Sequence, residues 1–159
     1  MVVKEYETLI GKITIGEIDG YITNIYFEND KLPNNIEVKE TDLIKETIRQ
    51  IQLYLSGNLR NIDVPIAING TKFQKFVWNE LSKIEYGQTC TYKEVAVKIG
   101  NPKACRAVGN ANNKNKLPII IPCHRVVGTS GKLVGFAGGL DIKQKLLDIE
   151  KNYSFKYLH

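Results

Sequence analysis

The segment LPIIIPCHRVVG, Leu117 to Gly128, sets a thiol, an imidazole and a guanidinium side by side at the end of an apolar run. Cys123 becomes a nucleophile once ionised, His124 can take its proton, and a cation such as Arg125 lowers a neighbouring thiol's pKa. Leu117 to Ile121 reads as a buried strand that stops at Pro122, where side chains emerge at the rim of a fold. Neighbours on a strand point to opposite sides, so Cys123 and His124 cooperate only on a turned backbone. Pro122 before them and VVGTSG after them are compatible with such a turn. A histidine base also needs an orienting group. The last helix reads as capped at Asp141, with Gln144 three residues on and Ile142, Leu146, Leu147 and Ile149 inward. Glu150 shares that face: it is either the carboxylate partner of His124 or the exposed end of a frayed helix. Cys90 and Cys105 read as small buried hydrophobes.

The elements that must position these groups fall into two parts, residues 1–68 and 69–159. The first alternates like an antiparallel sheet in VVKEYET, GKITIGEI and YITNIYFE, with Asp19-Gly20 as a hairpin turn. KLPNN breaks the pattern, and a helix follows from Thr41 with Ile44, Ile48, Ile51 and Leu55 on one stripe and Gly57 as its stop. NLRNIDVPIAING reads as a crossing linker. The second part is mostly helical. Thr71-x-x-Gln74 opens a helix with Phe73, Phe76, Val77, Leu81 and Ile84 inward, ended by Tyr86-Gly87. Thr91-x-x-Glu94 opens a short helix that halts at Gly100, and Asn101-Pro102 starts the next. Two short helices about a tight turn make a helix-turn-helix. The class is α+β.

Charge separates the same two parts. Residues 1–68 hold 7 Lys+Arg against 11 Asp+Glu, a balance of −4, and residues 69–159 hold 15 against 6, a balance of +9, which together make the net +5. This fits a polyanion bound by the second part, or a solvated lysine-rich face. In the second helix of the pair, Ala104, Ala107, Val108 and Ala111 form one stripe, and Lys103, Arg106, Asn110 and Asn113 lie opposite. That is a helix able to approach a DNA groove closely, set against the plainer reading of an alanine-rich packing helix.

The motifs PCHRVV, RAVGNA, YGQTCTYKEVA, IGNPKACRAVG and GGLDIKQKLLDIE together resemble the O6-alkylguanine-DNA alkyltransferases (methylated-DNA–protein-cysteine methyltransferases) over about residues 70–150. Residues 1–68 fit the family's N-terminal sheet-plus-helix domain, ribonuclease H-like, by pattern. The resemblance implies a winged helix-turn-helix in the second domain and a single irreversible transfer of an alkyl group from O6-alkylguanine, or O4-alkylthymine, to Cys123. His124 would be the base, acting through a water and held by Glu150. Asn115 would brace the active-site turn, and Tyr92 would meet the flipped guanine and its developing negative charge. Arg106 would enter the duplex and hold the gap left by the extruded base, with Lys103, Asn110, Asn113, Thr91 and Arg125 also on DNA. Gly135 to Gly138 would form the loop over the pocket, including Phe136 and Ala137, with the Val126 carbonyl reading the guanine edge. Phe136 stands where several members carry tyrosine, so side-chain hydrogen bonding in the pocket is reduced.

The chemistry stands beside the resemblance. An alkyl carbon on guanine O6 lies inside the base stack, so the nucleotide must be flipped out before a thiolate can reach it. The thioether product does not hydrolyse, so the protein acts once. A Cys-His-Glu hydrolase would explain the triad but not Lys103, Arg106 and the charge split; a helix-turn-helix regulator would need a dimerisation element that the sequence lacks. Three cysteines without a CxxC pair, an unsuitable signal-peptide start (Lys4, Glu5) and no membrane-length apolar run point to a cytoplasmic protein. The expected partner is double-stranded DNA containing O6-alkylguanine, met by a monomer, with no membrane, cofactor or metal; all cysteines lie in the second part, and His159 is a terminal residue.

Overall fold

The computed structural model describes residues 1–157. The chain forms two compact units, one of Met1–Ile68 and one from Asn69 onward, in an α+β fold.

In the first unit, β1 (Val2–Thr8), β2 (Gly11–Ile18) and β3 (Tyr21–Phe27) run antiparallel. Asp19 and Gly20 sit at φ 52 and 82 between the paired Ile18 and Tyr21, the backbone a two-residue hairpin turn demands. After KLPNN, β4 (Glu37–Val38) pairs parallel to β1, so the sheet is mixed, in the order β3-β2-β1-β4. Helix α1 (Asp42–Leu55) starts where the Thr41 hydroxyl accepts from the Ile44 amide at 3.0 Å. Its expected stripe of Ile44, Ile48, Ile51 and Leu55 is buried, with Ile13 and Ile15 of β2 also in the core. Gly57 ends the helix at φ 78. The crossing linker lies along β3, bonded through Ile22 to Pro65 and Ala67.

The second unit is built from α2 (Lys72–Leu81), β5 (Cys90–Thr91), α3 (Tyr92–Lys98), α4 (Cys105–Asn113), β6 (Val126–Val127) and α5 (Leu140–Tyr153). Both capping boxes form, at Thr71/Gln74 and Thr91/Glu94. Helices α3 and α4 make the helix-turn-helix, with Gly100 at φ 82 in the turn. The Trp78 indole donates to the Ala111 carbonyl at 2.8 Å and ties α2 to α4. Strands β5 and β6 pair in parallel through Cys90/Val126 and Thr91/Val127, which brings the start of α3 beside the residues that follow Cys123.

Six local expectations are corrected. On α2 the inward face is Val77, Trp78 and Leu81; Phe73 and Phe76 face solvent, because the stripe through Leu81 runs one position away from them. That helix ends at Leu81, and Ile84 is buried beyond it. Helix α4 starts at Cys105 rather than at Pro102: residues 101–104 form a turn closed by Ala104 N–H to the Asn101 carbonyl at 3.0 Å. Its buried face is Val108, Ala111 and Asn112, with Ala107 and Cys105 exposed. Helix α5 is capped by Gly139, φ 94, rather than by Asp141, which lies within its first turn. Finally, Leu117–Ile121 is no strand. It is a buried turn with Ile119 at φ 76 and Ile121 N–H on the Leu117 carbonyl at 2.8 Å. Pro118 and Pro122 have no N–H to give a ladder, so the apolar run encodes burial without pairing.

The corrected α2 face gives a direct check by urea unfolding. Leu81→Ala should cost about 2–5 kcal/mol, as a buried leucine does. Phe76→Ser, at a position 58% exposed, should change stability by no more than about 0.5 kcal/mol.

Candidate active site

Cys123, His124 and Arg125 occupy one 3-10 turn that leads into β6. This is the turned backbone that adjacent cysteine and histidine require. Asn115 braces it: its amide donates to the Ile121 carbonyl at 2.8 Å, and its side-chain oxygen accepts from Leu117 N–H at 3.0 Å. Asn112 holds the Cys123 carbonyl from inside α4 at 3.3 Å. The nucleophile is only 4% exposed.

Glu150 faces inward at 1% exposure and its Oε2 meets His124 Nε2 at 2.6 Å. An ionised carboxylate only accepts, so the neutral ring carries its proton on Nε2 and Nδ1 is left as the acceptor. Arg125 is the larger surprise. Its Nε and Nη2 reach Glu150 Oε1 and Oε2 at 2.8 and 2.9 Å, and Nη1 donates to the Ile84 carbonyl at 2.7 Å. Arg125 is therefore no DNA contact: it is buried, and its guanidinium is committed to the carboxylate. Gly87 N–H adds a further bond to Oε1 at 3.0 Å. Burial acts to raise Glu150, but His124 and Arg125 outweigh it and bring the carboxyl down to about 2. Burial pushes His124 below its ordinary value, with Glu150 acting against it.

The expected depression of the thiol is overturned as well. Burial pushes Cys123 up to about 11, opposed by hydrogen bonding from Asn115 and by the charge of Lys143. The cation that acts on the thiol is thus Lys143, not the adjacent Arg125. Sequence reading missed Lys143, although its spacing of three and seven residues before Leu146 and Glu150 places it on the inward face of α5. It also missed Asn112, four residues after the buried Val108.

Tyr92 stands at the start of α3, half-buried, with its ring over Gly109 of α4 and its hydroxyl donating to the Val134 carbonyl at 2.8 Å. Burial and the neighbouring Cys123 and Cys105 push it up to about 12. Val126 is buried, and its carbonyl accepts from Lys143 Nζ at 2.6 Å. Gly135 takes φ 58, and a side chain there would meet the Asn113 amide at 3.0 Å; Asn113 therefore abuts the loop as well as facing out. Phe136 is half-buried and Ala137 exposed. Lys103, Arg106 and Asn110 are exposed on the turn and on α4. The Thr91 hydroxyl is engaged in its capping box with Glu94. Among the described residues no cluster of three His, Cys, Asp or Glu could hold a metal ion; His159 lies outside them.

The model of the 6-O-methylguanine DNA methyltransferase DNA-binding domain matches residues 72–152, and that of the same protein's ribonuclease-like domain matches residues 1–68. The chain belongs to this methyltransferase family. The methylated-DNA–protein-cysteine methyltransferase of Methanosarcina acetivorans is 47% identical over 150 residues, 91% of this chain and 95% of that protein. The constitutive methyltransferase of Bacillus subtilis is 40% identical, covering 91% and 92%. Among solved structures, Mycobacterium tuberculosis OGT in complex with DNA superposes with a TM-score of 0.90 at 37% identity, covering 96% of this chain and 94% of that one. No helix among the described residues is long and apolar enough to cross a membrane.

The charge cluster predicts how the family member resists acid. Glu150→Gln should lower unfolding stability at neutral pH by about 3–5 kcal/mol, because Arg125 is left as a buried, uncompensated charge. In the wild type, the stability from the depressed carboxyl is present above its ordinary 4.5 and is lost as pH falls toward 2. Urea titrations from pH 6 to 2 should show that loss in the wild type and a flatter profile in Glu150→Gln.

Proposed function

We propose that this methyltransferase repairs duplex DNA by taking the alkyl group from O6-alkylguanine onto Cys123, once per chain. The observation that carries the reading is the Cys123 turn, on which the next residue, His124, is fixed by a buried Glu150 at 2.6 Å. Cys123 raised and His124 lowered both favour the neutral pair at rest. The thiol therefore loses its proton to His124, through a water, as the transfer proceeds rather than beforehand. The sulfur then bonds to the alkyl carbon, the carbon–O6 bond breaks, and its electron pair stays on guanine. Tyr92 is placed to meet that developing charge if its hydroxyl turns from the Val134 carbonyl to the base. Nucleophile, base and donor are all side chains, so the chemistry calls for no cofactor.

On the DNA side, Arg106, Asn110 and Asn113 lie on the outer face of the second helix of the helix-turn-helix, with Lys103 on the turn that leads into it. Arg106 is read as the side chain that enters the duplex, and Gly135, Phe136 and Ala137 as the loop over the base. O4-alkylthymine presents a similar alkylated oxygen and is a second substrate on this reading. The protein is taken to work as a cytoplasmic monomer.

Incubation with duplex containing O6-methylguanine should add one methyl group per chain, mapped to Cys123 by peptide mass spectrometry. Cys123→Ala should abolish transfer and retain DNA binding; repeated turnover, or methyl on Cys90 or Cys105, would sink the assignment. Arg106→Ala should slow repair in duplex by at least about tenfold, roughly 1.4 kcal/mol of the few that flipping costs. The same variant should react almost normally with free O6-benzylguanine, and equal losses on both would make Arg106 a general phosphate contact.

A further inference from the structure

Lys143 is 0% exposed, a rare state for a lysine. An ammonium has three N–H donors, and here three carbonyls take them: Val126 at 2.6 Å, Val134 at 3.0 Å and Gly135 at 3.3 Å. Two of those carbonyls belong to the loop after β6, and the third lies three residues past Cys123. The ammonium also stands 5.8 Å from the centre of the Tyr92 ring, and Tyr92 shares the Val134 carbonyl with it. An aliphatic residue would fill the same space in α5 without the cost of burying a charge, so the charge itself demands a reason.

We propose that Lys143 is a positioning residue for alkyl transfer: its ammonium clasps the Val134–Gly135 loop to β6, just past the Cys123 turn, and supplies the positive field in which the buried Cys123 ionises. Arg125 cannot supply that field, since Glu150 already neutralises it. The proposal rests on the alkyl-transfer reading for its meaning in repair, but its consequence for the thiol is independent of DNA.

The consequence is a coupled titration. Burial pushes Lys143 down to about 8, with the Cys123 charge acting against it. Below that pH the cation favours the thiolate; above it the support is lost. The other groups around the pair do not titrate in this window. Tyr92 from α3 is pushed up to about 12, His124 is held below its ordinary 6.5, and Glu150 of α5, bonded to Arg125, is brought down to about 2. Cys123 itself lies at about 11.

The test follows alkylation of Cys123 by iodoacetamide from pH 6.5 to 10, read by peptide mass spectrometry so that exposed Cys105 does not interfere. In the wild type the logarithm of the rate should rise with pH, flatten near pH 8, and rise again. Lys143→Met should show no flattening, a rate at pH 7 lower by at least about tenfold (one unit of thiol pKa), and convergence with the wild type above about pH 9. Lys143→Arg, which keeps its charge throughout, should recover most of the neutral-pH rate without the break. A Lys143→Met profile parallel to the wild type, whether offset or not, overturns the proposal, because lost packing lowers the rate equally at every pH. Should Lys143→Met fail to fold, an unbroken wild-type profile overturns it by itself. A broken profile in a protein that takes no alkyl group from DNA would leave the role of Lys143 standing and remove the alkyl-transfer reading instead.

Discussion

A carboxylate buried at 1% exposure organises the second unit. Glu150 receives N–H bonds from His124, from two nitrogens of Arg125 and from the Gly87 backbone, and Arg125 extends the network to the Ile84 carbonyl. These groups come from the loop after α2, the nucleophile turn and α5, segments far apart in sequence. An unpaired charge in that position would cost several kcal/mol, so the three segments hold one arrangement or the cluster fails. The placement of Cys123 follows, because its turn is anchored by the next two residues.

The same cluster decides how the nucleophile is kept. Arg125 neutralises Glu150, so the carboxylate orients His124 without forcing it to be an imidazolium. Burial holds Cys123 as a thiol. A protein that acts once gains from this: a standing thiolate would be open to any electrophile, whereas a buried thiol responds chiefly to a substrate lodged beside its base. Cys105, by contrast, is exposed on α4 and lies outside this arrangement.

Close approach dominates the DNA side. The Tyr92 ring lies beside Gly109 of α4, where an added side-chain carbon would stand 3.8 Å from it. Trp78 then bonds the same helix from its buried side. Helix α4 is thus fixed at both faces while Arg106 and Asn110 remain exposed, and Asn113 touches the loop at Gly135. The exposed face of α4 and the loop at Gly135 thus meet on one packed element.

The sequence by itself determined whatever depends on neighbours a few residues away. The Asp19-Gly20 turn, the caps at Thr41, Thr71 and Thr91, the isoleucine stripe of α1 and the turned backbone at Cys123 and His124 were legible because turn geometry, capping and helical period are local. Glu150 was legible as an inward carboxylate for the same reason. Only the tertiary structure decided which partner each buried charge took. Arg125 turned to a carboxylate 25 residues away and Lys143 to a carbonyl 17 residues away, and neither direction is written in the residues beside them. The strand expected over Leu117–Ile121 failed on the same ground: an apolar run states that it will be buried, while pairing or turning depends on what packs against it.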